Sequence, residues 1–271
     1  MLGIILTKKR KRVKLKFNLS NPIKFQFAGT HGLEIERDRL NPTPMNNYSA
    51  FDIIGPAMIG PSSSHTAGAV RLGLLARGIC GGATAFSPSI MIELHGSFAA
   101  TGEGHATDRG LVAGLLGLLP DDERLKDALI LAQANGINIE FRKVDLGVNA
   151  HPNTARISYL FPNGEKLSVT GASIGGGSVR IQEIDGFETE LSGELDAVVF
   201  WHMDRPGFLA RVTGLLACIE VNIATIQTTR RMRNSEALTV IKIDAPLPPD
   251  CMSVLRKIPF VHRLLAVPKL P

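Results

Sequence analysis

The chain has 271 residues, of which 44% are hydrophobic, 20% charged and 6% aromatic, enough to bury a sizeable core across two domains. Its longest apolar runs, residues 111–119 and 129–132, fall well short of the roughly 20 residues a membrane-spanning helix needs, which excludes a transmembrane role. The net charge of +5 is unevenly placed: residues 1–44 hold ten Lys and Arg against three Asp and Glu, a balance of +7, while the remaining 227 residues carry 20 basic and 22 acidic groups, or −2.

The basic arm is densest from Lys8 to Lys16 and is interrupted by Pro22, Pro42 and Pro44, with no pattern of a buried face. Its short apolar run, residues 2–6, precedes the charges, the reverse of a secretory signal. A disordered tail, a targeting or nucleic-acid arm and a segment ahead of a start at Met45 all fit it. Because the rest of the chain is not basic and no aromatic-studded basic face accompanies the arm, nucleic-acid binding is not expected.

From Tyr48 onward the sequence is patterned. Pro61 and Ser62-Ser63-Ser64 precede Val70, Leu74, Leu75 and Ile79, which predicts a capped helix with one apolar face, stopped by Gly81-Gly82. Ile90, Ile92 and Leu94 alternate with Met91 and Glu93 as in a strand. Thr107-Asp108 caps a helix reaching Leu119, and Asp121-Asp122-Glu123 starts another that ends near Gly136. The period then falls to two over residues 139–146, 154–160, 166–169 and 179–184, predicting a β-rich sheet or barrel. Beyond Gly193 the order is strand 197–201, helix 207–220, strand 222–230, strand 237–243, helix 249–257 and strand 261–267. This βαββαβ order predicts a ferredoxin-like module. The chain therefore reads as α+β, with an extension over residues 1–44, a β-rich, barrel-like domain over 45–192 and a second domain over 193–271.

Four polar turns carry candidate chemistry in the first domain. Gly60-Pro61-Ser62-Ser63-Ser64-His65-Thr66 places hydroxyls and an imidazole at a helix start, where backbone N–H groups favour a carboxylate and a histidine can move a proton near neutral pH. Taken alone, it also fits a serine-rich helix cap with a surface histidine. His95-Gly96-Ser97 with Thr101-Gly102-Glu103-Gly104-His105-Ala106-Thr107-Asp108 closes a strand and opens the next helix. His151-Pro152-Asn153-Thr154 and Ser173-Ile174-Gly175-Gly176-Gly177-Ser178 have the composition of tight turns. In the second domain Asp204-Arg205-Pro206-Gly207-Phe208 joins a strand to a helix, and Asn222-Ile223 enters the next strand; a small ligand or a plain turn fits both.

Other chemistries lack their residues. The chain has no G-x-G-x-x-G behind a strand, no G-x-x-x-x-G-K-[ST], no H-E-x-x-H and no G-x-S-x-G elbow. No two of His65, His95, His105 and His151 stand three or four residues apart, so a histidine metal site is not expected. Cys80, Cys218 and Cys251 form an odd set without C-x-x-C spacing, which argues against a disulfide framework, fits a reducing, cytoplasmic setting and suits small core residues.

The run from Phe51-Asp52-Ile53-Ile54-Gly55-Pro56 into Gly60-Pro61-Ser62-Ser63-Ser64-His65-Thr66 closely resembles the start of the β subunit of bacterial iron–sulfur-dependent L-serine dehydratases. Gly104-His105-Ala106-Thr107-Asp108, His151-Pro152-Asn153-Thr154 and Ser173-Ile174-Gly175-Gly176-Gly177 follow in the same order. Asp204-Arg205-Pro206-Gly207 with Asn222-Ile223 looks like an ACT domain, a small-molecule-sensing module. The resemblance spans residues 45–271. Two features depart from it: Ala106 stands where a second glycine is expected, and residues 1–44 have no counterpart, Met45-Asn46-Asn47-Tyr48-Ser49 looking like the usual N-terminus.

The resemblance implies dehydration and deamination of L-serine to pyruvate and ammonia, with a [4Fe–4S] cluster. It implies catalytic roles for His65, Ser62, Ser63, Ser64 and Thr66, and substrate contacts from Thr101, Gly102, His105, Asp108, His151 and Asn153. A regulatory ligand is expected at Asp204, Gly207 and Asn222. No metal ligand is expected in this chain, so the cluster is assigned to a partner α subunit, and homo-association to the ACT domain. The alternative is a non-catalytic amino-acid sensor, since similar modules regulate some phosphoglycerate dehydrogenases.

Overall fold

The computed structural model describes residues 62–82 and 89–271 and, ahead of them, the backbone of three short strands. The chain divides into two compact units, Met1–Tyr48 and Ser49–Pro271. In the first unit β1 (Thr7–Lys9), β2 (Arg12–Leu15) and β3 (Phe25–Gln26) pair antiparallel, with Lys8 opposite Val13 and Leu15 opposite Phe25. The charge of the arm does not predict this pairing; Val13 and Leu15 flanking Lys14 supply the alternation a short strand uses. The other readings of the arm, like the stretch from Phe51 to Pro61, fall outside the described residues.

In the second unit Ser62 caps a π-helical turn, Ser63–Ala67, that runs directly into α1 (Gly68–Ile79). Val70, Leu72, Leu75, Ala76 and Ile79 recur at helical spacing and are buried, and Gly81, at φ +80, ends the helix. β4 (Ser89–Leu94) alternates half-buried and buried residues. It leads through α2 (Gly96–Thr101), α3 (Thr107–Leu116), a 3-10 turn at Glu123–Asp127 and α4 (Ala128–Ala134) to β5 (Asn138–Lys143). This helical crossover is long enough to let β4 and β5 run parallel. β6 (Thr154–Leu160), β7 (Lys166–Gly175), β8 (Ser178–Ile184) and β9 (Phe187–Leu191) then add antiparallel neighbours, giving the order β5-β4-β6-β7-β8-β9. The sheet ends at β5 and β9, which are not paired with each other; it is open and mixed, and the barrel-like expectation does not describe it.

The remaining elements are β10 (Asp196–Met203), α5 (Phe208–Cys218), β11 (Ile223–Arg230), β12 (Glu236–Ile243), α6 (Pro249–Leu255) and β13 (Val261–Val267). Their four strands form an antiparallel sheet in the order β11-β12-β10-β13. Both faces of this sheet are covered. Val198, Phe200, Ile241 and Leu264 pack with Phe208, Val212, Leu216 and Leu255 of the two helices, while Val199, Leu238, Val240 and Val267 join the core built by α1, α3 and β4. Burial on both sides explains why β10 reads Ala197-Val198-Val199-Phe200 with no polar alternation. Gly193, where the pattern changes, lies between the two sheets in sequence, and its carbonyl accepts the Leu270 N–H at 2.7 Å.

The cysteines do not share one environment. Cys80 is buried, Cys251 is half-buried, and Cys218, expected in the core, is exposed because it falls on the outer face of α5.

Candidate active site

Helices α1 and α3 approach closely enough for their backbones to touch. A Cβ at Gly114 would lie 2.0 Å from the Val70 carbonyl oxygen, so only glycine lets the two helix backbones touch. That contact seats the Ser62–His65 turn beside the turn that opens α3, and the buried Thr66 hydroxyl donates to the His105 carbonyl at 3.0 Å across the junction.

Within the turn Ser62 is a helix cap, its Oγ accepting the His65 N–H at 3.2 Å, and the Gly68 N–H reaches back five residues to the Ser63 carbonyl. The wider π-helical winding places the imidazole of His65 among hydroxyls. Its Nδ1 lies 3.2 Å from Ser64 Oγ and 3.5 Å from Ser62 Oγ. Its Nε2 lies 3.0 Å from Ser97 Oγ and 3.3 Å from Thr101 Oγ1. A hydroxyl donates or accepts by rotating, so this shell supports either tautomer and lets a proton leave or arrive at either nitrogen. The ring also meets Phe98 edge-on at 5.4 Å between centroids and tilts against His105 at 5.1 Å. Burial, then the neighbouring His105, hold the imidazole below the ordinary histidine value, opposed by the Ser97 backbone. Both effects favour the neutral ring, the form that accepts a proton.

The other predicted residues differ in their partners. Thr101 touches His65 directly and donates a second contact to the Ser97 carbonyl at 3.0 Å. His105 Nδ1 is 3.0 Å from the Thr101 carbonyl and so carries its proton there, leaving Nε2 as the basic nitrogen. Gly102 is buried in the turn between α2 and α3, where a Cβ would come 2.3 Å from the Phe98 carbonyl oxygen; it shapes the chain path. His151 Nδ1 accepts the Asn153 N–H at 3.1 Å, and the Asn153 carbonyl accepts the Ser173 N–H at 3.0 Å, so the third and fourth polar turns meet. The position of a Cβ on Gly68 falls 2.0 Å from Ser173 Oγ, which brings that junction against the serine turn. No hydrogen bond among the described residues joins His151 to His65.

Asp108 Oδ1, Asn153 Oδ1, Thr107 Oγ1 and Ser173 Oγ are all buried without a hydrogen-bond partner. Buried oxygens of this kind are costly unless something else satisfies them, and two of them, on Asp108 and Asn153, are acceptors suited to an ammonium group. The sequence singles out Ser97 only as part of a polar cluster and gives it no role. Its spacing of four from Thr101 on one short helix was the available signal.

In the C-terminal part, Gly207 caps α5 at φ +86 with open space around it. Asp204 is taken by Arg230 at 2.7 Å and by the Asn234 N–H, which together lower its carboxyl below the usual range. Asn222 donates to Asp244 at 2.5 Å. Both side chains thus have partners inside the fold. Among the described residues no three His, Cys, Asp or Glu side chains converge on a point that could hold a metal ion, and no helix is long and apolar enough to cross a membrane.

Comparison with known proteins gives the chain a family. Residues 49–184 match the family model of the serine dehydratase beta chain. The chain is 44% identical over 223 residues to the probable L-serine dehydratase beta chain of Bacillus subtilis, covering 82% of this chain and 99% of that one. It is 40% identical over 211 residues to the L-serine dehydratase beta chain of Peptoniphilus asaccharolyticus, covering 78% and 94%. A more distant likeness, 29% over 152 residues, links 55% of this chain to 27% of a D-3-phosphoglycerate dehydrogenase of Synechocystis.

Proposed function

The chain belongs to the serine dehydratase beta chain family, and on that premise we propose that it is the β component of an L-serine ammonia-lyase that works with a separate α subunit. The observation that carries the reading is the imidazole of His65, which has hydroxyls at both nitrogens and a pKa lowered by burial and by His105. Dehydration of L-serine removes the α-hydrogen and the β-hydroxyl as water; the aminoacrylate left behind tautomerises and hydrolyses to pyruvate and ammonia. The α-hydrogen is weakly acidic, so the reaction needs a positioned base. His65 takes that role. Ser62, Ser63 and Ser64, at a helix start, hold the substrate carboxylate, and the unsatisfied oxygens of Asp108 and Asn153 receive its ammonium. Ser97, Thr101 and Thr66 position His65 and the turn that bears it.

The [4Fe–4S] cluster implied by the resemblance does not fit this chain's described cysteines. Cys80 is buried at the end of α1 with its thiol donating to the Arg77 carbonyl at 3.1 Å, Cys218 and Cys251 lie on α5 and α6, and the three do not form a ligand group. The cluster is therefore assigned to the α subunit. The βαββαβ region over residues 193–271 is read as a ferredoxin-like ACT module that associates with a second copy and senses an amino acid near Gly207. The three cysteines, none of them in a disulfide, suit a cytoplasmic location.

Anaerobic assay of L-serine turnover tests this reading. The pure chain alone is expected to release no pyruvate, and addition of a cluster-bearing α subunit is expected to produce turnover. Pyruvate formation by the chain alone would overturn the two-component reading. Failure of the two chains to assemble or turn over would favour the amino-acid sensor, the reading that the phosphoglycerate dehydrogenase likeness supports.

A further inference from the structure

At the end of α1 remote from His65, an open cavity of about 520 Å³ lies between that helix end, α6 and the residues after β13. Its lining is one-sided in side-chain charge: Arg77, Arg256 and Lys269 border it, no Asp or Glu among the described residues does, and the main-chain oxygen of Pro271, also in the lining, accepts from Arg71 Nη1 at 3.2 Å. None of the ion pairs among the described residues involves Arg256 or Lys269. The Asp196 carboxylate nearby accepts the Lys269 backbone N–H at 3.3 Å.

The negative helix end is partly spent, because the carbonyls of Arg77 and Gly78 accept the N–H groups of Gly82 and Gly81, at 2.9 and 3.0 Å. Arg77 is held in place: its Nη1 donates to the Leu115 carbonyl at 2.9 Å, and its side chain lies along Gly117, where a Cβ would come within 3.3 Å of Nε. Met252, Leu265 and Leu270 supply the apolar part of the lining. Like charges gathered in a concave, partly apolar space raise the local potential, and an anion relieves it. The volume is that of a small-molecule site.

We propose that this cavity binds a small organic anion, one carrying a carboxylate or phosphate beside an apolar portion. The cations take the anionic group, and Met252, Leu265 and Leu270 cover the rest. The site is separate from the serine turn and does not depend on the dehydratase reading.

Calorimetric titration of the full chain with benzoate, phenyl phosphate and inorganic phosphate tests it, the first two comparing headgroups on one ring and the third removing the ring. The expected result is saturable binding of benzoate or phenyl phosphate, tighter than inorganic phosphate and weakened at least tenfold by R256A/K269A, with His65→Ala unchanged. Both substituted residues are exposed, so the double variant should fold. No saturable binding of either aromatic probe, or equal affinity in wild type and the double variant, would overturn the proposal. Binding lost in His65→Ala but kept in the double variant would place the anion at the serine turn and overturn it equally.

Discussion

His65 Nε2 lies 3.0 Å from Ser97 Oγ, although 32 residues separate the two in sequence. The contact joins the turn before α1 to the first turn of α2. Removing one hydroxyl from this shell leaves Thr101 on the same nitrogen, so Ser97→Ala should orient the ring less well without abolishing the reaction. One neutral hydrogen bond is worth about 0.5–1.5 kcal/mol. A fall in kcat of up to about tenfold with little change in KM is expected in steady-state kinetics; an unchanged kcat would leave Ser97 without a positioning role.

The pH profile offers a second check. Burial and His105 both lower the His65 pKa, so the neutral, active imidazole should persist below the ordinary value of about 6.5. The acid limb of kcat/KM should therefore lie below that value and fall as pH drops through the lowered pKa. His105→Gln keeps a donor for the Thr101 carbonyl and removes the neighbouring charge. The acid limb should move up in that variant; a limb that stays in place or moves down would contradict the coupling.

Ala106 has φ +58, a left-handed conformation that costs an L-residue roughly 1–2 kcal/mol. Glycine would escape that cost while losing roughly 0.5–1 kcal/mol of chain entropy. Ala106→Gly should therefore raise the melting temperature by about 2 °C. A lower melting temperature would mean that the alanine methyl is worth more than the strain.

Gly68 is a helical residue, where alanine is ordinarily better by about 1 kcal/mol. Here the added Cβ would sit 2.0 Å from Ser173 Oγ. Gly68→Ala should destabilise the chain by about 1–3 kcal/mol through overpacking, and Ser173→Gly in the same chain should recover much of that loss. Denaturant unfolding of the two single variants and the double variant measures the recovery; strictly additive losses would show that the two positions do not press on each other.

Much of this architecture was legible in residue patterns because it depends on local periodicity. The βαββαβ order, the two-residue alternation of β6 and β8 and the capped start at Ser62 each follow from side chains within a few positions. What escaped was short or long-range. β9 follows the Asp185-Gly186 turn, whose two positive φ values mark a hairpin, but its five residues give little periodicity. α2 is six residues long, too short for a helical period to stand out. Ser97 could not be read as a partner of His65, since their meeting depends on the glycine-mediated contact between α1 and α3. Nor could the side chains of Asp204 and Asn222 be seen to have partners in Arg230 and Asp244, 26 and 22 residues away.

The central claim is that His65 moves the proton in a dehydratase assembled from two kinds of chain. The direct measurement is pyruvate formation from L-serine by the assembled enzyme carrying His65→Ala, beside the unaltered enzyme, with light scattering to verify assembly. A fall in kcat of about a hundredfold or more from an intact complex is expected, the usual scale for a lost acid–base group. Near-normal turnover by an intact His65→Ala complex would contradict the account and reduce the turn to a helix cap.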